Sequence, residues 1–170
     1  LKAKDAIVDR FRDMSGVRPS VDLIRPDICV NVHIQKDMAI VSLDLAGESL
    51  HRRGYREEGA EAPLKENLAA AILLYSKWPA VAKGGGPLVD LMCGSGTLPI
   101  EAALIAADIA PGLQRPYFGF LGWRGHESSI WESLIKEAEG RRKTGLSCLP
   151  AIFGFDRDSS AIKTSISNAE

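Results

Sequence analysis

The chain has 170 residues, 45% of them apolar, with 21 basic and 22 acidic side chains and a formal net charge of −1. That balance supplies no long-range positive field for a polyanion, and no apolar run reaches the length of a membrane span. Cys29, Cys93 and Cys148 lack Cys-x-x-Cys spacing and His33, His51 and His126 are scattered, so neither a metal site nor a disulfide framework is predicted, and reduced thiols fit a cytoplasmic protein.

The first elements have an α+β texture. Ala6, Ile7, Phe11 and Met14 suggest an amphipathic helix that ends near Gly16, with Arg18-Pro19 marking the break. Strict alternation follows, with Ile28, Val30, Val32 and Ile34 on one face and Asp27, Cys29, Asn31, His33 and Gln35 on the other, which predicts a half-buried strand. After a polar turn at Lys36-Asp37, the alternation of Val41, Leu43 and Leu45 makes the pair an antiparallel hairpin. A helix and a hairpin are too little to bury a core alone.

Leu50 to Glu58 is a basic, glycine-containing segment that reads as a solvated linker. Pro63 then opens a helix at its favoured first position, with Leu64, Leu68, Ile72 and Tyr75 at helical spacing and Trp78-Pro79 ending it. Lys83 to Pro87, rich in glycine, is a flexible entry to the next strand.

The run Pro87-Leu-Val-Asp-Leu-Met-Cys-Gly-Ser-Gly-Thr97 carries the chemistry. Leu88, Val89 and Leu91 form a short buried strand, Gly94 and Gly96 permit a sharp turn close to a ligand, and the helix from Thr97 to Ala110 aims its first amides at that ligand. A triphosphate cradle needs a lysine after the last glycine, and none follows Gly96. A dinucleotide fingerprint needs a third glycine, where Thr97-Leu98-Pro99 stands instead. Asp90 before the turn suits a cationic ligand, and the run resembles motif I of the class I S-adenosylmethionine methyltransferases.

Ala151-Ile-Phe-Gly-Phe-Asp156 reads as a second buried strand ending in an acid, the position that takes ribose hydroxyls in doubly wound folds. Asp158 caps a following helix through Ala161, Ile162, Ile166 and Ala169. The interval from Asp90 to Asp156 far exceeds the roughly twenty residues usual between such acids, so an insertion lies between them, from Pro111 to about Pro150. Within it, Tyr117, Phe118, Phe120 and Trp123 interleave with glycines, Arg115 and Arg124. Two readings stay open: aromatics covering an apolar sheet edge, or a surface that stacks bases and holds phosphates. A helix follows with Ile130, Leu134 and Ala138 on its inner face and Arg141-Arg-Lys143 near its C-terminus, where the dipole favours cations.

Several stretches then carry a closer resemblance: Leu50-His-Arg-Arg-Gly-Tyr-Arg56, Ala62-Pro-Leu-Lys-Glu-Asn-Leu-Ala-Ala-Ala71, Asp90 to Ala103, Ala107-Asp-Ile-Ala-Pro-Gly-Leu113 and Phe120-x-Gly-Trp123. In this order they look like the THUMP-domain-containing bacterial 23S ribosomal RNA guanine-N2 methyltransferases. The resemblance implies an α/β fold: the start of a Rossmann-like class I methyltransferase domain over 53–170, preceded over 1–52 by the end of an α+β THUMP domain that binds RNA. It implies S-adenosylmethionine as cofactor, held at Asp90, Met92, Cys93, Gly94, Ser95, Gly96 and Thr97, with Asp156 on the ribose and Arg56 closing the site. Cys93 suits a small packing residue rather than a nucleophile.

The implied reaction is in-line displacement of a sulfonium methyl by an exocyclic guanine amine, a weak nucleophile that needs alignment more than a strong base. The family's Asn/Asp-Pro-Pro-Tyr motif, which would grip the flipped base, is missing: the 9 prolines are never adjacent. With a start at Leu1 and a stop at Glu170, this predicts a fragment, inactive alone, whose partners are RNA and the remainder of the same polypeptide. A transfer RNA guanine-N2 methyltransferase and an N6-adenine DNA methyltransferase remain alternatives.

Overall fold

The computed structural model describes residues 2–24, 26–56 and 63–170, and these divide into two compact units, Leu1–Gly47 with Tyr117–His126, and Glu48–Pro116 with Glu127–Glu170. Glu57, Glu58 and Ala62, named above in the linker and the resemblance, lie outside the described residues.

The first unit opens with α1 (Lys2–Ser15), stopped by Gly16 at φ 70° as the sequence predicts. Strands β1 (Cys29–Gln35) and β2 (Met38–Asp44) form the antiparallel hairpin, pairing Val30 with Leu43 and Val32 with Val41. Its two-residue turn puts Lys36 and Asp37 at φ 47° and 61°, the left-handed pair whose twist matches the strands. The expected half-burial is not found: Ile34, Val41 and most of their face are exposed, because no second layer covers it among the described residues.

The aromatic stretch of the insertion belongs to this unit and packs beside the end of its hairpin. A 3-10 turn at Gly119–Gly122 brings the Phe120 N–H to the Leu45 carbonyl (2.9 Å), and the Tyr117 hydroxyl donates to the Asp27 carbonyl (3.3 Å). Phe118 and Phe120 stack at 5.3 Å between ring centroids, with His126 tilted against Phe120. Gly119 makes the approach possible: a Cβ there would lie 2.7 Å from the Asp44 carbonyl oxygen.

The second unit is built on the parallel pair β3 (Leu88–Asp90) and β4 (Ile152–Gly154), with Leu88 opposite Ile152 and Asp90 opposite Gly154. Its helices are α2 (Glu66–Tyr75), α3 (Trp78–Lys83), α4 (Thr97–Ala106), α5 (Ser128–Leu146) and α6 (Ser159–Ala169). Leu73, Trp78, Ala82 and Ala102 form the core, with Leu88, Leu98, Ile105 and Ile152 packed against them. Ala69 and Ala102, both 0% exposed, let α2 and α4 approach closely, and the Trp78 indole N–H donates to the Ala102 carbonyl (2.9 Å).

Several local expectations shift. The first helix of this unit starts at Glu66, three residues after Pro63, and Lys77 at φ 61° reverses the chain into α3, so Trp78-Pro79 begins a helix rather than ending one. The inward face of α2 is Ala69 and Leu73, whereas Leu68, Ile72 and Tyr75 point outward, Tyr75 being 93% exposed. Ala69 on that face lets α2 approach α4 closely, and Leu73 fills the core beside it. Likewise α5 turns Trp131, Ile135 and Ala138 inward while Ile130 and Leu134 are exposed. Leu91 falls past the end of β3 and is exposed, α4 stops at Ala106, and β4 ends two residues before Asp156. Arg141 pairs with Asp108 and Glu137 at the surface, where such contacts stabilise little.

Among the described residues no helix is long and apolar enough to cross a membrane, and no group of three or more His, Cys, Asp or Glu side chains could hold a metal ion. Gly145, inside α5, lies against Ala107, whose carbonyl a Cβ at 145 would strike. Gly145→Ala is therefore expected to lower stability by about 1–3 kcal/mol through overpacking, although alanine is worth roughly 1 kcal/mol over glycine in an open helix. Thermal unfolding of the variant checks the sign.

Candidate functional site

The site grows from the loop between β3 and α4. Gly94 and Gly96 take φ of 53° and 83°, in the left-handed region that glycine enters without strain, and Gly96 is the residue from which α4 departs. A Cβ built on Gly94 would meet nothing within 4 Å, so the backbone there faces open space. Asp90 closes the strand, and its Oδ1 accepts the Met92 N–H (3.0 Å). Met92 itself is exposed at the lip of the turn, while Cys93 is buried beneath it. Burial first, then the charges of Asp90 and Asp156, push the Cys93 thiol up, which suits packing and not nucleophilic attack.

Three side chains from distant parts of the chain hold this loop. Asp156, just past β4, accepts the Gly94 N–H on Oδ2 (2.9 Å) and the Asp158 N–H on Oδ1 (2.9 Å). These backbone donors, that of Asp158 first, hold its carboxyl below the usual aspartate range. Asn168 of α6, buried, donates its side-chain amide to the Ser95 carbonyl (2.9 Å). Arg56 donates from Nη1 to Ser95 Oγ (3.0 Å) and from Nη2 to Thr97 Oγ1 (2.7 Å) and the Leu64 carbonyl (3.1 Å), with Nε on Glu66 Oε1 (2.8 Å).

The described residues of the segment expected as a solvated linker, 50–56, are thus held at several points. Arg115 donates to the carbonyls of Glu48, Ser49 and Arg52, which occupies a guanidinium that the sequence offered for phosphate. Arg53 forks onto both oxygens of Glu101 (3.3 and 3.4 Å), and the Tyr55 hydroxyl donates to the same carboxylate (3.3 Å). Glu101 is only 2% exposed; burial raises its pKa against the opposing pull of Arg53. Burial, and next the Glu101 charge, push the Tyr55 hydroxyl well above the ordinary tyrosine range.

The sequence-predicted residues Asp90, Met92, Cys93, Gly94, Ser95, Gly96 and Thr97 therefore form one loop, with Asp156 bonded to it directly and Arg56 bonded to two of its hydroxyls. Asp158 caps α6 by accepting the Ser160 N–H (2.8 Å). The inner face of α6 is more polar than its apolar spacing suggests: Ser165 and Asn168 lie toward the loop and Ile166 is exposed. Sequence reasoning missed Glu66, Glu101 and Asn168. A lone acid inside the apolar run Leu98-Pro-Ile-Glu-Ala-Ala-Leu104 was a usable signal for Glu101, since a buried charge requires a partner. Nothing local marks Asn168.

The arrangement offers two carboxylates beside a glycine turn and an open space at Gly94, the equipment of a site for a small polar ligand. Comparison with known proteins gives this a context. The profile of the RMKL-like methyltransferase domain matches residues 53–170, and that of the THUMP domain matches residues 1–44. A ribosomal RNA large subunit methyltransferase K/L from Syntrophotalea carbinolica is 62% identical over 99% of this chain and 24% of its own length. One of the same name from Methylococcus capsulatus is 56% identical over 99% of this chain and 23% of its own. The chain thus spans about a quarter of the length of these relatives. Among solved structures, a putative methyltransferase complexed with SAH superposes with a TM-score of 0.81 at 39% identity, covering 98% of this chain and 42% of that one. A predicted N6-adenine-specific DNA methylase from Listeria monocytogenes gives 0.80 at 35%, with the same coverage. The chain belongs to the RMKL-like methyltransferase family, with a THUMP domain at its N-terminal end.

Proposed function

We propose that this chain is the cofactor-holding part of an S-adenosylmethionine-dependent enzyme that methylates the exocyclic N2 of a guanine in large-subunit (23S) ribosomal RNA. The observation that carries the reading is the glycine loop tied to Asp156, in a chain 62% identical to a relative named for large-subunit ribosomal RNA. On this reading residues 1–52 close an RNA-binding domain and 53–170 begin the catalytic one. Its partners are RNA and the remainder of the same polypeptide, with no membrane, in the cytoplasm.

The residues fit the cofactor chemically. Bound here, S-adenosylmethionine would supply an electrophilic methyl group on a sulfonium. Asp90 would face its cationic amino-acid end, the turn from Met92 to Thr97 would surround it, and Asp156 would take the ribose hydroxyls with the lone pairs that Gly94 and Asp158 leave available. Met92 stands exposed at the lip of the loop. Cys93 fills the floor and keeps its proton. The acceptor side, including the Pro-Pro-Tyr turn, would come from the remainder of the polypeptide, since no two prolines of these 170 residues are adjacent. The transfer RNA and N6-adenine readings share this cofactor half, and the higher identity to the ribosomal relatives favours the first.

Two outcomes are expected. Deletion of the source gene removes N2-methylguanosine from digested large ribosomal RNA and not from transfer RNA, measured by mass spectrometry; loss from transfer RNA alone would move the substrate, and no loss from either would overturn the guanine assignment. Gly96→Ala in the full-length protein weakens S-adenosylmethionine binding at least about tenfold by calorimetry. The substitution forces a left-handed alanine against Ser165 Oγ, a strain of order 1–3 kcal/mol before any clash.

A further inference from the structure

We propose that Arg56, charge-balanced by Glu66, is a positioning residue: it locks the glycine loop into its binding conformation and so sets cofactor affinity without contacting the cofactor. The inference rests on the cofactor reading of the loop.

The geometry of the guanidinium is the first argument. Its donors go to Glu66, the Leu64 carbonyl, Ser95 Oγ and Thr97 Oγ1, so one planar group joins the N-terminal end of α2 to both hydroxyl side chains of the loop. Those hydroxyls matter because serine and threonine bond readily to nearby backbone and thereby offer a turn alternative conformations. Held by Arg56, Ser95 and Thr97 have lost that freedom. Asp156 and Asn168 fix the loop's backbone, at Gly94 N–H and Ser95 C=O, and leave the hydroxyls to Arg56.

Electrostatics supplies the second. Thr97 is the first residue of α4, where the helix dipole disfavours a cation. Arg56 and Glu66 are also largely buried, and a buried ion pair is poor evidence of net stabilisation, since desolvation of both partners offsets their attraction. A pair kept at a site that electrostatics disfavours is better explained by what it holds in place. The neighbouring Arg53–Glu101 pair differs: it grips the body of α4 and touches neither loop hydroxyl.

The test uses full-length protein and S-adenosylmethionine itself, with binding by calorimetry and melting temperature followed together. Arg56→Lys keeps the charge and loses the planar fork, and is expected to raise Kd about tenfold or more. Glu66→Gln, which keeps the shape of the acceptor, is expected to raise it in the same direction and carries the test if the lysine variant does not fold. Adding Ser95→Ala to Arg56→Lys should weaken binding by less than Ser95→Ala does alone, because the two act through one bond. Trp78→Phe, which removes the core bond to Ala102, should lower the melting temperature with an unchanged Kd. Variants at 56 and 66 that lower the melting temperature as Trp78→Phe does, with wild-type Kd, would overturn the proposal. Failure of the wild-type protein to bind S-adenosylmethionine would instead overturn the cofactor reading, and this inference with it.

Discussion

Everything in the second unit depends on one constraint: a loop with two left-handed glycines exposes backbone polar groups that must be satisfied without filling the space above them. An unsatisfied buried amide or carbonyl costs about 1–3 kcal/mol, so such a loop cannot simply be left open. The chain solves this from below and beside. Asp156 accepts the Gly94 N–H, Asn168 donates to the Ser95 carbonyl and Arg56 donates to the two hydroxyls, so these groups are held from the protein side while Gly94 still faces open space. The three side chains come from the strap before α2, the loop after β4 and the end of α6, and they meet only because the parallel pairing of β3 with β4 sets Asp90 beside Gly154.

Packing places the remaining groups. Ala69 and Ala102 allow α2 and α4 to close on one another, which brings Glu66 near one end of α4 and leaves Glu101 enclosed within it. Each acid then needs a cation, and the strap supplies both, Arg56 to Glu66 and Arg53 to Glu101. Over the described residues 48–56 the strap is therefore structure and not tether, its arginines answering buried charges that would be untenable alone.

The legibility of these features follows the range of the interactions behind them. The hairpin, the glycine loop and the Asp158 cap depend on neighbours within a few residues, and periodicity and turn chemistry marked all three. Faces of helices fared worse. Spacing in α2 and α5 pointed to Leu68, Ile72 and Ile130, whereas the structure buries Ala69, Leu73 and Trp131 more deeply. In α2, which is apolar nearly all round, and in α5, where apolar residues stand on more than one side, the inward side is chosen by the partner surface, and the sequence of one helix does not contain its partner's shape. The aromatic stretch from Tyr117 to Trp123 was ambiguous for the same reason: its glycines allow close approach to a backbone, but only the fold shows that the backbone is that of the hairpin unit, near Asp44 and Gly47.

By itself the sequence determined the local geometry of the site, because an acid, two spaced glycines and a following helix can satisfy their own φ and hydrogen-bond demands in few ways. It also determined that Asp90 ends one strand and that Asp156 follows closely on a second, which the structure ends at Gly154 and pairs with the first. What the tertiary structure decided is which distant groups meet: Arg56 and Asn168 on the loop, Glu66 behind Arg56, and Glu101 behind Arg53, of which Glu66 and Asn168 stand in unremarkable local contexts. Their roles arise from burial, and burial is a property of the packed chain, which forces each enclosed charge or amide to the partner that packing brings within reach.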